Sequence, residues 1–225
     1  TNLAPSASFV STKVQRDLTS YAESSQLNRY GARFKYSQFL KVIDSSHESV
    51  TSNITTVEMR RDLRLATSQV AEYAIDFGNQ FHVKSMNGFN IRSSAFRVLN
   101  INTDVYLSDI PDATAEKGQI LLFSLNEGSS TPTIQRRNIG VIDYKKGRIT
   151  LDPINIVSGK TKDNVDILEI SATPESNDII GLQDLYLQLD SSFVDMVVDE
   201  ISSGADPSGS TYTVTTSYKN GNIIR

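Results

Sequence analysis

The chain has 225 residues, 38% of them hydrophobic, and a formal net charge of −4 at pH 7. That is enough for one large domain or two small ones, and the acidic balance argues against a dedicated nucleic-acid binder. It contains no Cys, which excludes disulfides, thiolate zinc sites and cysteine nucleophiles together and suits a reducing compartment. No apolar run reaches the roughly 18 residues that a membrane helix needs. No charged stretch followed by an apolar core opens the chain, so no secretory signal is read; it begins at Thr1, as a processed or excised piece does.

In chain order, Phe9, Val10, Val14, Leu18, Tyr21 and Ala22 recur at three- and four-residue steps, the period of one helical face. The spacing predicts a helix with Ser11 or Thr12 as its N-cap and Ser24 and Ser25 at its fraying end. Its apolar stripe is broad for its length, so the stretch from Thr12 to Ser25 is expected to join a bundle with other chains. Gly31 breaks the chain. A second short helix is expected from Tyr36 to Ile43, with Tyr36, Phe39, Leu40 and Ile43 on one side and a polar exit loop at Asp44 to His47.

From Asn53 the period changes to that of a pleated strand. Ile54, Thr56 and Glu58 alternate with Thr55, Val57 and Met59, and a second alternating run covers Val70 to Phe77. The stretch from Phe81 to Arg92 reads as a hairpin, because Asn87-Gly88 suits the two positive-φ positions of a type I′ turn. A second hairpin is expected from Asn138 to Leu151, turning at Lys145-Lys146-Gly147 with Gly147 left-handed. A third turns at Asn220-Gly221 and joins Thr211–Tyr218 to Asn222 onward.

Further strands are expected at Val105–Ser108, Gln119–Leu125 and Val165–Ile170, the second buried on both faces. Asp184 to Asp190 places Leu185, Leu187 and Leu189 on one strand face, whereas Phe193 to Ile201 suits strand or helix. Thr173–Asn177 and Ser202–Ser210 read as linkers. The expected fold is α+β: a short helical lead-in followed by a largely antiparallel, mixed β architecture of about ten strands. The expected division is a helical lead-in over 1–50, a β-rich domain over 51–173, and a carboxyl-terminal β segment over 174–225, separate or part of the same domain.

Chemistry-bearing motifs are sparse. The two histidines, His47 and His82, belong to no metal-binding run, and no nucleophile elbow or glycine-rich phosphate cradle occurs. Asp104, Asp109 and Asp112 lie near one turn and Asp163 and Asp166 near another, but no loop has the calcium-binding alternation. Asp184, Asp190, Asp195 and Asp199 offer no more of a carboxylate pair than any chain with 26 acids does. Asn53-Ile54-Thr55 matches a glycosylation triplet without other signs of secretion. Arg60, Asp62 and Arg64 share one strand face, as a salt-bridged exposed face or a contact surface. Catalytic, cofactor and metal residues are all expected to be absent, leaving a scaffold whose output is surface.

The run Asn28-Arg-Tyr-Gly-Ala-Arg-Phe-Lys-Tyr-Ser-Gln-Phe-Leu-Lys-Val-Ile-Asp44, followed by Ser49 to Arg61, resembles a segment of phage baseplate J-like proteins. Arg29, Tyr36 and Val57 match the family positions, although the family often carries an acid before the Tyr and this chain has Lys35. Asn138 to Leu151 resembles the G-x-[IV]-[DN]-Y-x-x-G-x-[IV] hairpin of the gene 6 baseplate wedge family of T-even-type contractile-tailed bacteriophages, in its carboxyl-terminal half. Asn177 to Asp190 is similar to that family's later strand entry, so the resemblance runs from about Asn28 to Asp190.

The resemblance implies a non-enzymatic, late structural protein of the virion, located in the tail baseplate and assembled in the host cytoplasm. Its partners would be itself, as a dimer and a ring of copies around the tail tube, and other baseplate wedge proteins. No cofactor, nucleic acid, membrane or small-molecule substrate is implied. The interface candidates are Val14, Leu18, Tyr21, Tyr36, Arg60, Arg64, Tyr212 and Val214. Thr211–Tyr218, uncharged until Lys219, lacks the usual protection of an edge strand. A rival reading is a carbohydrate- or receptor-binding β module of a tail fibre or adhesin, against which the absence of Trp counts. A third is a β-rich hydrolase with unrecognised acids.

Overall fold

The structure, a computed structural model, describes residues 6–125, 131–181, 189 and 196, together with the backbone of 218–219 and 222–223. Two helices come first, α1 (Ala7–Ala22) and α2 (Tyr36–Ser46). The α1 helix starts earlier than its sequence suggests because Ser6 is the N-cap, its hydroxyl accepting from the Phe9 N–H at 3.3 Å. The Thr12 hydroxyl instead donates back to the Ser8 carbonyl at 2.8 Å, an interior helical habit. Gly31 takes φ +64° between the helices, the left-handed step that favours glycine.

The apolar stripe of α1 is filled from within the chain. Val10, Val14 and Leu18 are buried against Phe39 of α2, with Tyr21, Phe34, Val42, Ile43, Val50, Leu189 and Met196 partly buried around them. Each fully buried aliphatic side chain of this kind contributes roughly 1.5–3 kcal/mol. The expectation that this stripe joins a bundle with other chains is therefore corrected: its width is matched by α2 and by residues from far down the sequence.

The rest is sheet. The larger sheet orders as β3 (Gln69–Asp76), β9 (Arg148–Ser158), β8 (Pro132–Asp143), β7 (Lys117–Leu125) and β6 (Tyr106–Pro111), with β5 (Arg97–Val98) also on β9. A second sheet orders as β10 (Lys160–Lys162), β11 (Val165–Ala172) and β2 (Met59–Arg64), with β4 (Ile91–Ser93) also on β11. The short strand β1 (Arg33–Phe34) pairs with β12 (Ile179–Ile180), and β13 (Tyr218–Lys219) with β14 (Asn222–Ile223). These pairings are all antiparallel. The α+β expectation thus holds coarsely, with sheet predominating. One apolar core, including Phe77, Phe81, Leu107, Ile120, Leu122, Ile142, Leu151 and Leu168, fills the β part.

Several local expectations hold. The β8–β9 hairpin runs in the expected register, with Asp143 opposite Arg148 and Gly147 at φ +64°. In β7, Ile120, Leu121 and Leu122 are all buried, as a two-faced inner strand requires. Tyr218 lies opposite Ile223 and Lys219 opposite Asn222, the pairing expected of the third hairpin, whose turn residues lie outside the described residues. The remainder of that hairpin from Thr211, together with Asp184–Gln188, Asp190, Phe193–Asp195, Val197–Ile201 and Ser202–Ser210, lies outside the described residues.

Three expectations are corrected. Residues 54–58 keep the strand-like alternation, yet the strand begins only at Met59, where β11 first offers a partner in Ala172. The stretch from Phe81 to Arg92 turns without forming a hairpin, since positive φ falls at Gly88 and Phe89 instead of Asn87 and Gly88. Its backbone groups find distant partners: the Phe81 N–H donates to the Tyr144 carbonyl at 2.8 Å, and β4 pairs with β11. Thr173–Asn177 does not behave as a free linker. Pro174 is buried opposite Phe81, the His82 N–H donates to the Thr173 carbonyl at 2.9 Å, and the Glu175 N–H to the Gln80 carbonyl at 2.8 Å.

Candidate functional site

The first nonlocal feature is the start of α2. Lys35 stands at its N-cap position and its side chain caps nothing. Asp178, remote in sequence, supplies the carboxylate instead, its Oδ1 accepting from the Tyr36 N–H at 2.8 Å. An anion there satisfies an orphan donor and sits at the positive end of the helix dipole. The Tyr36 hydroxyl donates to the Thr55 carbonyl at 2.8 Å, so one side chain joins the helix start to the extended segment that follows. Next to Asp178, β12 pairs with β1. The Asn79 side chain then holds Ile180 at both backbone groups, accepting from its N–H at 3.0 Å and donating to its carbonyl at 2.9 Å. The helical unit is thereby closed by residues 178–180 and fastened to the loop that follows β3.

The second feature is a buried carboxylate. Asp109, fully buried on β6, accepts from the Asn90 N–H at 2.8 Å, the Ile91 N–H at 3.0 Å, the Asn90 side-chain amide at 2.7 Å and the Tyr144 hydroxyl. Burial, with the carboxylate beside it, pushes the Tyr144 phenol far above the ordinary tyrosine range. These donors replace the water that the ion lost, and together they fix the loop before β4. There Gly88 passes so close to Asp109 that a Cβ would lie 2.0 Å from its carbonyl oxygen. Sequence reading grouped Asp109 with Asp104 and Asp112 at one turn, but the three diverge. Asp104 pairs with Arg97 at 2.8 Å, and Asp112 accepts from the Thr114 hydroxyl at 2.7 Å. A lone acid inside the apolar run from Val105 to Ile110 was the available signal of a buried ion.

The predicted interface residues scatter. Val14 and Leu18 are internal, each only 2% exposed. Tyr21 is half-buried against Phe39, with ring centroids 6.4 Å apart. Tyr36 is half-buried and bonded as above. Arg60 and Arg64 lie exposed on β2, where Asp62 links Arg60 at 3.5 Å to Lys162 at 2.6 Å, a salt-bridged face. Tyr212 and Val214 are outside the described residues. Among the described residues no group of three or more His, Asp or Glu converges as metal ligands. A shallow hollow of about 340 Å³ is lined by Ser94, Phe96, Arg97, Asp104 and Lys160, and the Arg97–Asp104 pair occupies its polar wall.

A two-helix unit is tied to an antiparallel β body by a returning segment, and the polar contacts described here serve internal fastening. Residues 1–62 match the family described as baseplate structural protein gp6, C-terminal domain III. That stretch is similar to a baseplate structural protein of the gp6 type. The match takes in both helices, the extended segment and the start of β2. It includes the Asn28–Asp44 motif, whereas the hairpin at Asn138–Leu151 and the Asn177–Asp190 motif lie beyond it. No curated protein matches the chain.

Proposed function

We propose that this chain is a structural subunit of the baseplate wedge, acting by homo- and hetero-oligomeric assembly into a ring around the tail tube, without catalysis. The observation that carries the reading is the match of residues 1–62 to a gp6 C-terminal domain, folded as a closed helical unit. In this reading 1–50 is a helical lead-in, 51–173 a β-rich domain and 174–225 a carboxyl-terminal β segment, separate or part of the same domain. The remaining interface candidates are Tyr21, Tyr36, Arg60, Arg64, Tyr212 and Val214; assembly takes place in the host cytoplasm. Self-association begins as a two-fold dimer, because one self-complementary patch then satisfies itself, and the full ring needs other wedge proteins. Light scattering coupled to size exclusion, across a hundredfold range of concentration, tests this. A concentration-dependent monomer–dimer mixture is expected, and a strict monomer throughout overturns intrinsic self-assembly.

A further inference from the structure

Residues 51–58 form a segment with the side-chain alternation of a strand and, among the described residues, no strand beside it. Asn53, Thr55 and Val57 are half-buried, whereas Ser52, Ile54, Thr56 and Glu58 are exposed. Ile54 is 101% exposed, the largest value among the exposed apolar residues of the described chain. Among the described residues no backbone group of 51–58 bonds to another backbone group, and the Thr55 carbonyl is held by the Tyr36 hydroxyl. In an extended chain the N–H and C=O of one residue point to the same edge and those of its neighbours to the other. The edge through Thr55 therefore faces α2, and the edge through Ile54 and Thr56 faces solvent with its donors and acceptors unmet. Asn53 further pins the segment, its side chain bonding to Asp44 at 2.5 Å and to Thr55 at 3.0 Å. A pre-extended, pinned, Pro-free edge with a fully exposed Ile is the geometry that accepts an added strand.

We infer that the outer edge of 51–58 docks an extended segment of a different polypeptide, running antiparallel, with β-branched residues beside Ile54 and Thr56 and a lysine or arginine opposite Glu58. Glu58 has no ion pair among the described residues, and the chain as a whole is acidic at −4, so a cation-bearing strand complements it. A second copy complements it less well: antiparallel self-pairing of two outer edges centred on Thr55 sets Glu58 against Ser52, and the register that sets it against Arg60 meets a guanidinium already paired with Asp62. The identification of that polypeptide as another baseplate protein rests on the function proposed above, whereas the edge itself is tested without it.

The probe is a synthetic peptide alternating Thr and Val, with one lysine placed to face Glu58, added to the whole chain; a second peptide carries glutamate in place of the lysine. Residue-resolved hydrogen exchange is expected to show the Ile54 and Thr56 amides unprotected in the isolated protein. The lysine peptide should slow them by on the order of tenfold, and the glutamate peptide should leave them unchanged. Ile54→Pro and Thr56→Pro each delete a donor on the outer edge that the fold does not use. Both should keep the melting temperature and lose peptide binding, while Val57→Pro, on the other edge, should keep binding. Three results overturn the inference: protection already present in the dilute protein, which means the edge is occupied by this chain; protection that grows with protein concentration alone, which means a second copy; or equal protection by both peptides. A strict monomer by light scattering leaves this test unaffected.

Discussion

Among the described glycines, Gly147 is one where an added Cβ would lie closest to another backbone atom. It sits at φ +64° in the β8–β9 turn, a conformation that strains an L-residue. The structure adds a second term that the turn pattern does not contain. A Cβ at Gly147 would lie 1.9 Å from the Asn79 carbonyl oxygen and 2.8 Å from its carbon, both backbone atoms that cannot swing aside. Moving the turn away also loosens the 2.8 Å bond from the Phe77 N–H to the Gly147 carbonyl, worth about 0.5–1.5 kcal/mol. Backbone strain alone places Gly147→Val at roughly 1–3 kcal/mol; with the clash and the weakened bond the expectation is roughly 3–5 kcal/mol. At about 2–4 °C per kcal/mol for a chain of this size, the melting temperature falls by roughly 6–20 °C. Gly147→Asn separates the terms, because Asn tolerates the left-handed region yet carries the same Cβ, so it should cost about 1–3 kcal/mol. Urea unfolding followed by circular dichroism reads both, with an unchanged m-value showing that the unfolded surface is the same. A loss below about 1 kcal/mol for the Val variant, or a neutral Asn variant, refutes the close approach to Asn79.

Asp178→Ala should destabilise the helical unit by about 1 kcal/mol, and Asp178→Asn by much less, since either Asp or Asn can accept from the Tyr36 N–H; equal losses in chemical denaturation would point away from capping. Tyr144 is held protonated by burial and by Asp109, so its contribution is complete below the ordinary tyrosine range and is lost as pH rises above it. An alkaline titration followed at the tyrosinate absorbance should show one of the nine tyrosines ionising only as the protein unfolds, and all nine titrating smoothly would contradict this. Tyr144→Phe removes one donor from the buried Asp109 carboxylate and should cost roughly 1–3 kcal/mol by urea midpoint. The Lys13 ammonium, hydrogen-bonded to Asp17, holds that carboxyl below its ordinary 3.8. Its contribution is therefore present above about pH 4 and lost as pH falls further, and Asp17→Asn should narrow the stability difference between pH 7 and pH 3, measured as urea midpoints.

Local periodicity and turn chemistry determined what a single segment can settle by itself. The 3.6-residue stripe of Val10, Val14 and Leu18 specified a helix, and the alternation from Val70 to Phe77 specified β3. Lys145-Lys146-Gly147 specified the hairpin, because only glycine is at ease at its last position. The resemblance at Asn28–Asp44 lies inside the stretch that matches the gp6 family. Tertiary structure decided whatever depends on which partner is nearest. Asn87-Gly88 is a strong hairpin turn locally, yet Asp109 captures the amides of Asn90 and Ile91 and β11 captures β4, so the two arms never pair. Residues 54–58 alternate as a strand does but have no neighbouring strand among the described residues, since a ladder needs a second chain segment at about 4.8 Å and β11 reaches only as far as Met59. The cap of α2 comes from Asp178, 142 positions away. No pattern around Lys35 announces it, because the carboxylate and the amide it satisfies become neighbours only when β12 returns to β1.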